Sequence, residues 1–241
     1  MATEVAPGVH RLGNDIVNYY LVEADGGITM VDAGLPAFRG PLEAFLRERG
    51  RTLSDIDALL LTHAHPDHVG IAEDVRAAGV PVRVHEADAD QARTGKSHRR
   101  EGSMLPYLRH RATWRLIGMA ARSGGLKTVK IAEVAPLGEL DVPGRPRAIH
   151  TPGHSPGHTT FHFADQGALI AGDALCTWNP LTGRPGPQIM PGAFAFSNAQ
   201  AMESLALLEP IDAGVLLVGH GDPWTAGVSA AVARAREAGP S

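Results

Sequence analysis

A single cysteine, Cys176, stands in 241 residues. It excludes an internal disulfide framework and a thiolate zinc site of the finger type. Any metal must therefore be held by histidine and carboxylate. Long apolar runs are missing too, since none approaches the ~20 residues that a membrane helix needs. The first eight residues, Met-Ala-Thr-Glu-Val-Ala-Pro-Gly, have neither a basic start nor an apolar stretch, the marks of a secretory signal. A cytoplasmic location and no membrane partner are the expectations. A strong charge of one sign is also lacking. The formal net charge of −4 gives no global reason to expect a nucleic-acid partner. No fixed-period repeat or low-complexity tract occurs. A small-molecule substrate and a monomer or homodimer remain as the expected partners.

What is present is an ordinary globular balance, 44% apolar and 20% charged. The length suits one core, so residues 1–241 are read as a single domain. Glycine at 28 and proline at 18 predict short elements and tight turns. Val9–Leu12, Ile16–Val22 and Ile28–Val31 read as strands of a meander, broken at Gly13-Asn14 and Asp25-Gly26-Gly27. A helix is expected near Pro41–Glu48, with Leu42, Phe45 and Leu46 on one face. Ile56–Leu61 has the near-continuous apolar pattern of a strand buried on both faces. Ile71–Ala78 reads as helix and Val82–His85 as strand. The second half gives strands at Arg147–Ile149, Thr159–Phe163, Ala168–Ala171 and Gly214–Val218. Helices are expected at Ala199–Leu208 and Val228–Glu237. This alternation places the chain in the α/β or α+β class, with layered sheets.

One segment departs from the rest. Between Arg93 and Lys130 stand ten Lys/Arg against the single acid Glu101, a local charge of +9 in an otherwise acidic chain. Leu105, Leu108, Ala112, Leu116 and Met119 recur there at helical spacing. The segment reads as one or two amphipathic helices inserted between the halves, arginines turned outward. It is either a solvated face, a cover that attracts an anionic substrate, or an oligomer surface.

Histidine is unevenly distributed. Of 12, three fall in the run Thr62-His63-Ala64-His65-Pro66-Asp67-His68, and His150, His154, His158 and His162 fall at every fourth position. The run follows a predicted strand, so it occupies the loop at that strand's C-terminal end, where α/β sheets place their sites. His63 and His65 can grip one ion, and Asp67 and His68 can reach a second beside it. Imidazole and carboxylate suit zinc, iron or manganese. More ligands are needed, and candidates follow other predicted strands: His154 in Thr-Pro-Gly-His, Asp173 in Ala-Gly-Asp, and His220 in Gly-His-Gly.

The run THAHPDH, then TPGH, AGD and GHG, in this order, resembles the metallo-β-lactamase superfamily over roughly residues 8–225. The resemblance implies a four-layer αββα sandwich with two divalent ions at one edge of its sheets, zinc first and iron or manganese as alternatives. His63, His65 and His154 would bind one ion, Asp67, His68 and His220 the other, and Asp173 would bridge them. Asp32, in Val-Asp-Ala-Gly, would orient a ligand by hydrogen bonds. His158, four residues after His154, is a candidate for the same role. The implied chemistry is hydrolysis, in which two ions about 3.5–4 Å apart share a hydroxide that attacks a carbonyl or phosphoryl centre. Asp67 would align that hydroxide and act as the catalytic carboxylate. Cys176, Trp178 and Asn179 lie in the loop after Asp173 and are candidates for substrate contact.

Departures from known members narrow the activity. Class B β-lactamases lack the bridging aspartate, so Asp173 leaves β-lactam cleavage as at most a weak side reaction. The helical glutathione-binding domain of glyoxalase II is not expected, because the chain ends about 20 residues after His220. Persulfide dioxygenases usually carry Gly-Arg-Thr-Asp shortly after the bridging-type aspartate, a region that reads Ala174-Leu175-Cys176-Thr177-Trp178-Asn179-Pro180 in this chain. Lactonases that cleave N-acyl homoserine lactones match in length and ligands but usually have a tyrosine at the position of Cys176. A hydrolase of a small ester, thioester or lactone is the leading expectation, and an iron-dependent, persulfide-dioxygenase-like oxidoreductase is the alternative. The space between residues 93–130 and 174–196 should decide the substrate. An apolar groove would favour acyl groups, and an arginine-lined slot would favour a carboxylate or phosphate.

Overall fold

The structure, a computed structural model, describes residues 2–240. Its first half is a meander that turns parallel. β1 (Thr3–Ala6), β2 (Val9–Gly13), β3 (Asn18–Ala24) and β4 (Gly27–Val31) pair antiparallel in chain order. The β3–β4 turn has Asp25 and Gly26 both at positive φ, 53° and 80°, the geometry that matches strand twist in a two-residue hairpin. β3 begins two residues later than its apolar pattern suggests. The Asn14 side chain accepts hydrogen bonds from the backbone N–H groups of Ile16 and Val17 and holds them in a turn. α1 (Arg39–Glu48) then crosses to β5 (Ala58–Leu60), α2 (Ala72–Ala77) to β6 (Val82–Val84), and a long connection to β7 (Ala135–Pro136), all pairing parallel.

The connection to β7 holds α3 (Glu86–Thr94) and α4 (Arg111–Arg122). Hydrophobic periodicity does not reveal α3, because its inward face buries Asp88 and Gln91 beside Ala92. Its ends are nevertheless defined. His85 Nδ1 accepts from Ala87 N–H at the start, and Gly95 adopts a left-handed conformation at the end. The single apolar face expected from Leu105 to Met119 is broken. Residues Leu105–Arg109 form a separate 3-10 turn, and His110 is extended at φ −93°, ψ 135°. Leu105 and Leu108 are consequently exposed, whereas Leu116 and Met119 of α4 pack against the core.

The second sheet contains β8 (Arg147–His150), β9 (Thr159–Phe163), β10 (Ala168–Gly172) and β13 (Val215–Val218), in the order β13-β10-β9-β8. A hairpin of β11 (Cys176–Trp178) and β12 (Pro185–Gln188), unmarked by any clear alternation in the sequence, precedes α5 (Asn198–Leu208). α6 (Val228–Ala238) closes the chain.

Side-chain alternation along the strands assigns the layers. Tyr20, Val22 and Leu60 of the first sheet meet Phe161, Phe163, Ile170 and Leu217 of the second in a core between the sheets. Tyr19, Leu21, Met30 and Leu59 turn the other way, onto Leu42, Phe45 and Leu46 of α1 and Val75 of α2. Leu169, Ala171, Leu216 and Val218 likewise face Leu205 and Leu208 of α5 and Val232 and Ala235 of α6. The result is the four-layer αββα sandwich. Among the described residues no helix is long and apolar enough to cross a membrane.

Candidate metal centre

The ends of four strands converge at one edge of the two sheets. β5 delivers the histidine run, β4 delivers Asp32, β10 delivers Asp173 and β13 delivers His220. The turn after β8 adds His154. Nitrogen and oxygen atoms of His63, His65 and His154 form one cluster, and those of Asp67, His68 and His220 form another, each within 4.8 Å. Asp173 lies between them. Its Oδ2 is 3.4 Å from His154 Nε2 and 3.3 Å from His220 Nε2, and its Oδ1 is 3.5 Å from His68 Nε2. Asp67 Oδ2 is 3.3 Å from His220 Nε2 and 3.9 Å from His68 Nε2. All seven predicted ligands are thus brought together.

The arrangement is held from behind. Asp32, at φ 60°, accepts from the Thr62 N–H and hydroxyl and, at 2.8 Å, from His68 Nδ1. Because the Thr62 hydroxyl donates to Asp32, it must accept from His63 Nδ1, 3.0 Å away. His220 Nδ1 donates to the Ile16 carbonyl at 2.6 Å. Each of these bonds places the ring proton on Nδ1 and leaves Nε2 directed into the cluster. His158 is buried behind Asp173. Its Nε2 accepts from the Asp173 N–H at 3.1 Å, and its Nδ1 lies 2.9 Å from the Thr151 hydroxyl. Asn18 and Tyr20 of β3 both donate to the Val218 carbonyl, tying the His220 loop to the first sheet. Gly219 fits there only because it lacks a side chain, since a Cβ would lie 2.1 Å from Asp173 Oδ1.

Electrostatics divides the ligands. Burial drives His63 and His154 well below the ordinary histidine range and lowers His65 to about 4. These rings are neutral, as ligands must be. Burial acts in the same direction on His68 and His220, but the surrounding carboxylates outweigh it. Asp173, Asp32 and Asp67 hold His68 well above its usual value, and Asp173 and Asp67 lift His220 to about 10. For Asp67 and Asp173, burial opposes ionisation, and the charges of His68 and His220 reverse that and keep both ionised.

The donor set fits divalent cations. His68 Nε2, His154 Nδ1 and Asp173 Oδ1 are buried polar atoms without a hydrogen-bond partner. Such atoms are rare and need a reason. For His68 Nε2 and Asp173 Oδ1, which face the cluster, a bound ion would supply it. Histidine nitrogen with carboxylate oxygen is the chemistry of zinc, iron and manganese sites.

Two other features stand outside the sequence expectations. The first is Asp88, fully buried on α3, whose carboxylate accepts from the Ser155 hydroxyl at 2.5 Å and from the Gly157 N–H at 2.8 Å. It fixes the turn that carries His154. Three residues on, Gln91 Nε2 donates to the Ala64 carbonyl inside the histidine run. The three-residue spacing of Asp88 and Gln91 puts both on one helix face, but polar residues at that spacing do not mark a buried face in the sequence. The second concerns the loop after Asp173, whose three candidates do not line the cavity over the ligands. Cys176 is fully buried in the hairpin opposite Gln188, and burial beside Asp173 pushes its thiol up. Asn179 is buried, and its Oδ1 accepts from the Leu181 and Thr182 N–H groups, shaping the hairpin turn. Trp178 packs half-buried against the core between the first sheet and its helices α1 and α2, its ring 5.8 Å from the Arg115 guanidinium.

Comparison with known proteins agrees with this geometry. The sequence profile of the metallo-beta-lactamase superfamily matches residues 12–220. A probable metallo-hydrolase of Bacillus subtilis, YflN, is 26% identical over 247 residues, spanning 92% of this chain and 87% of its own. The hydroxyacylglutathione hydrolase of Cereibacter sphaeroides is 34% identical over 66% of this chain, and the match spans 48% of that enzyme, about half its length. The crystal structure of TTHA1623 in a di-iron-bound form superposes with a TM-score of 0.60 at 29% identity, covering 93% of this chain and 96% of that one. Profile, fold and convergent ligands together establish that the chain belongs to the metallo-beta-lactamase superfamily and is a metal-dependent hydrolase.

Proposed function

We propose that this hydrolase is dinuclear and cleaves a small ester, thioester or lactone. The observation that carries the reading is Asp173, whose carboxylate reaches both ligand groups: Oδ2 lies 3.4 Å from His154 Nε2 of one and 3.3 Å from His220 Nε2 of the other, and Oδ1 lies 3.5 Å from His68 Nε2 of the second. His63, His65 and His154 would hold one ion, Asp67, His68 and His220 the other, with Asp173 shared. Zinc is the proposed ion. When bound, such ions lower the pKa of water toward about 7 and polarise a substrate oxygen.

The protein's own part is positional and acid–base. Asp67 is the most accessible carboxylate of the set, its side chain 26% exposed, and it lines the cavity. It is held ionised, so it can accept a hydrogen bond from an attacking water and orient its lone pair. Water oxygen adds to the carbonyl carbon, the C–O or C–S bond breaks, and the water's proton passes to the departing alkoxide or thiolate. Asp32, Thr62 and the Ile16 carbonyl keep the rings from turning during this exchange. The name of the hydroxyacylglutathione hydrolase relative supports thioesters within the class.

The test is metal stripping followed by reloading with zinc, iron or manganese and a screen of aryl esters, thioesters and lactones. Two zinc ions per chain with hydrolysis is the expected result. One iron per chain with oxygen uptake on a persulfide would overturn it.

A further inference from the structure

The cavity over the ligands has a floor and walls of opposite chemistry. Its volume is about 240 Å³. The floor is polar: His65, Asp67, His154, Asp173 and His220. The walls are not. Leu116, Ile117 and Met119 of α4 and the following Leu126 face Met190 and Phe194 of the opposite loop. Among the described residues, Arg100 is the one Lys or Arg side chain lining this space, and its guanidinium lies 5.9 Å from the Phe194 ring. α4 therefore belongs to a strongly basic segment yet turns an uncharged face to the site.

Resting on the hydrolase reading above, we infer that the substrate carries an apolar acyl chain, seated beneath α4, with its scissile carbonyl at the floor. The floor accounts for the polar atoms of an ester, thioester or lactone group. Whatever extends beyond it meets mainly methyl groups, thioethers and one ring, with Arg100 the one wall side chain that offers charged donors. A peptide or sugar tail would leave most of its hydrogen-bonding groups without partners there. The volume lies just under the ~300–1,000 Å³ of drug-sized sites, which fits a short or medium chain. Met104, Met119 and Met190 line the space, and their unbranched side chains adapt to occupants of different length. Leu126, 72% exposed at this cavity, gives the chain further apolar surface to cover.

The experiment measures kcat/KM of the zinc-loaded protein on straight-chain aryl esters and thioesters of increasing acyl length. Competition by straight-chain 1-alkanols is measured alongside. Each added methylene should raise kcat/KM, and strengthen competition, by about four-fold until the cavity is full. Ile117→Asp should flatten both slopes while the thermal melt and the zinc content stay those of a folded, loaded protein. A flat length profile with zinc-dependent hydrolysis intact overturns the acyl-chain inference and leaves the hydrolase reading standing. No hydrolysis of any ester, thioester or lactone by protein holding two zinc ions overturns both.

Discussion

The two ligand groups of the centre share an edge of the sandwich and lie on either side of the Asp173 carboxylate, yet they are built to opposite electrostatic plans. His63, His65 and His154 are three buried neutral rings, with His154 Nε2 only 2.8 Å from His65 Nδ1 and 3.1 Å from His63 Nε2. Asp67, His68 and His220 sit among carboxylates that keep both rings protonated when no ion is bound. An ion entering the first group meets rings that carry no extra proton to displace. An ion entering the second must displace protons. The difference teaches that the two groups would take up an ion with different pH dependence, and that this can be tested group by group.

The largest effects should come from removing one ligand of each group. His65→Ala and Asp67→Ala are each expected to lower kcat/KM by at least ~10²-fold, the scale of a lost acid–base or electrostatic contributor. Both side chains are at the cavity, so circular dichroism should remain that of the parent. Metal analysis separates the groups, since His65→Ala should lose the ion at the histidine group first and Asp67→Ala the ion at the mixed one. Parent-level turnover in either variant would sink the two-ion mechanism.

Next in size is Asp32→Asn. Asp32 bonds His68 directly and reaches His63 only through Thr62. Loss of an orienting carboxylate typically costs 10–100-fold in metal affinity. The mixed group should bear most of that loss and the histidine group less. Equal loss at both would show that Thr62 transmits the effect fully and that the groups are not separable.

The pH dependence follows from the same contrast. In metal-free protein, His220 and His68 have raised values, so their stabilising contribution is complete below about pH 6.5 and is lost as pH climbs, for His220 through about 10. His65 and His158 are lowered to about 4, and His63 and His154 are held well below the ordinary histidine range, so these four destabilise the fold as pH falls below about 6.5. Thermal melts of the metal-free chain should therefore peak near neutral pH and decline on both sides. Zinc should abolish the alkaline decline, because it replaces the protons on His68 and His220. Calorimetry in buffers of different ionisation enthalpy should detect their release on metal binding. A metal-free melting temperature that rises steadily from pH 6.5 to 9 would contradict the protonated mixed group.

Much of this centre was legible in the sequence because its ligands follow short apolar strands in fixed local patterns. THAHPDH, TPGH, AGD and GHG each keep strand, turn and ligand within a few residues, and every such group arrived at the same edge. Asp88 and Gln91 were not legible, since they act from a helix whose buried face is polar and leaves no hydrophobic period. The hairpin after Asp173 was missed for a related reason. Asn179 organises it by bonding backbone N–H groups, a role that looks the same in sequence as a residue awaiting substrate. The broken amphipathic face from Leu105 to Met119 shows the limit of spacing alone, since an extended His110 moved half of it to the surface.

The smallest expected effect concerns Cys176, which separates the cavity wall from the structure behind it. Its side chain is fully buried in the hairpin and absent from the cavity lining, and burial next to Asp173 keeps the thiol protonated. A protonated, enclosed thiol is neither a nucleophile nor a ligand. Cys176→Ala should therefore leave kcat/KM at the parent level and cost about 1 kcal/mol in stability from the lost sulfur contacts. Iodoacetamide should fail to modify the folded parent and should modify it once unfolded. Rapid alkylation of the folded protein with loss of turnover would move Cys176 to the cavity side and return the hairpin to the list of surfaces that touch substrate.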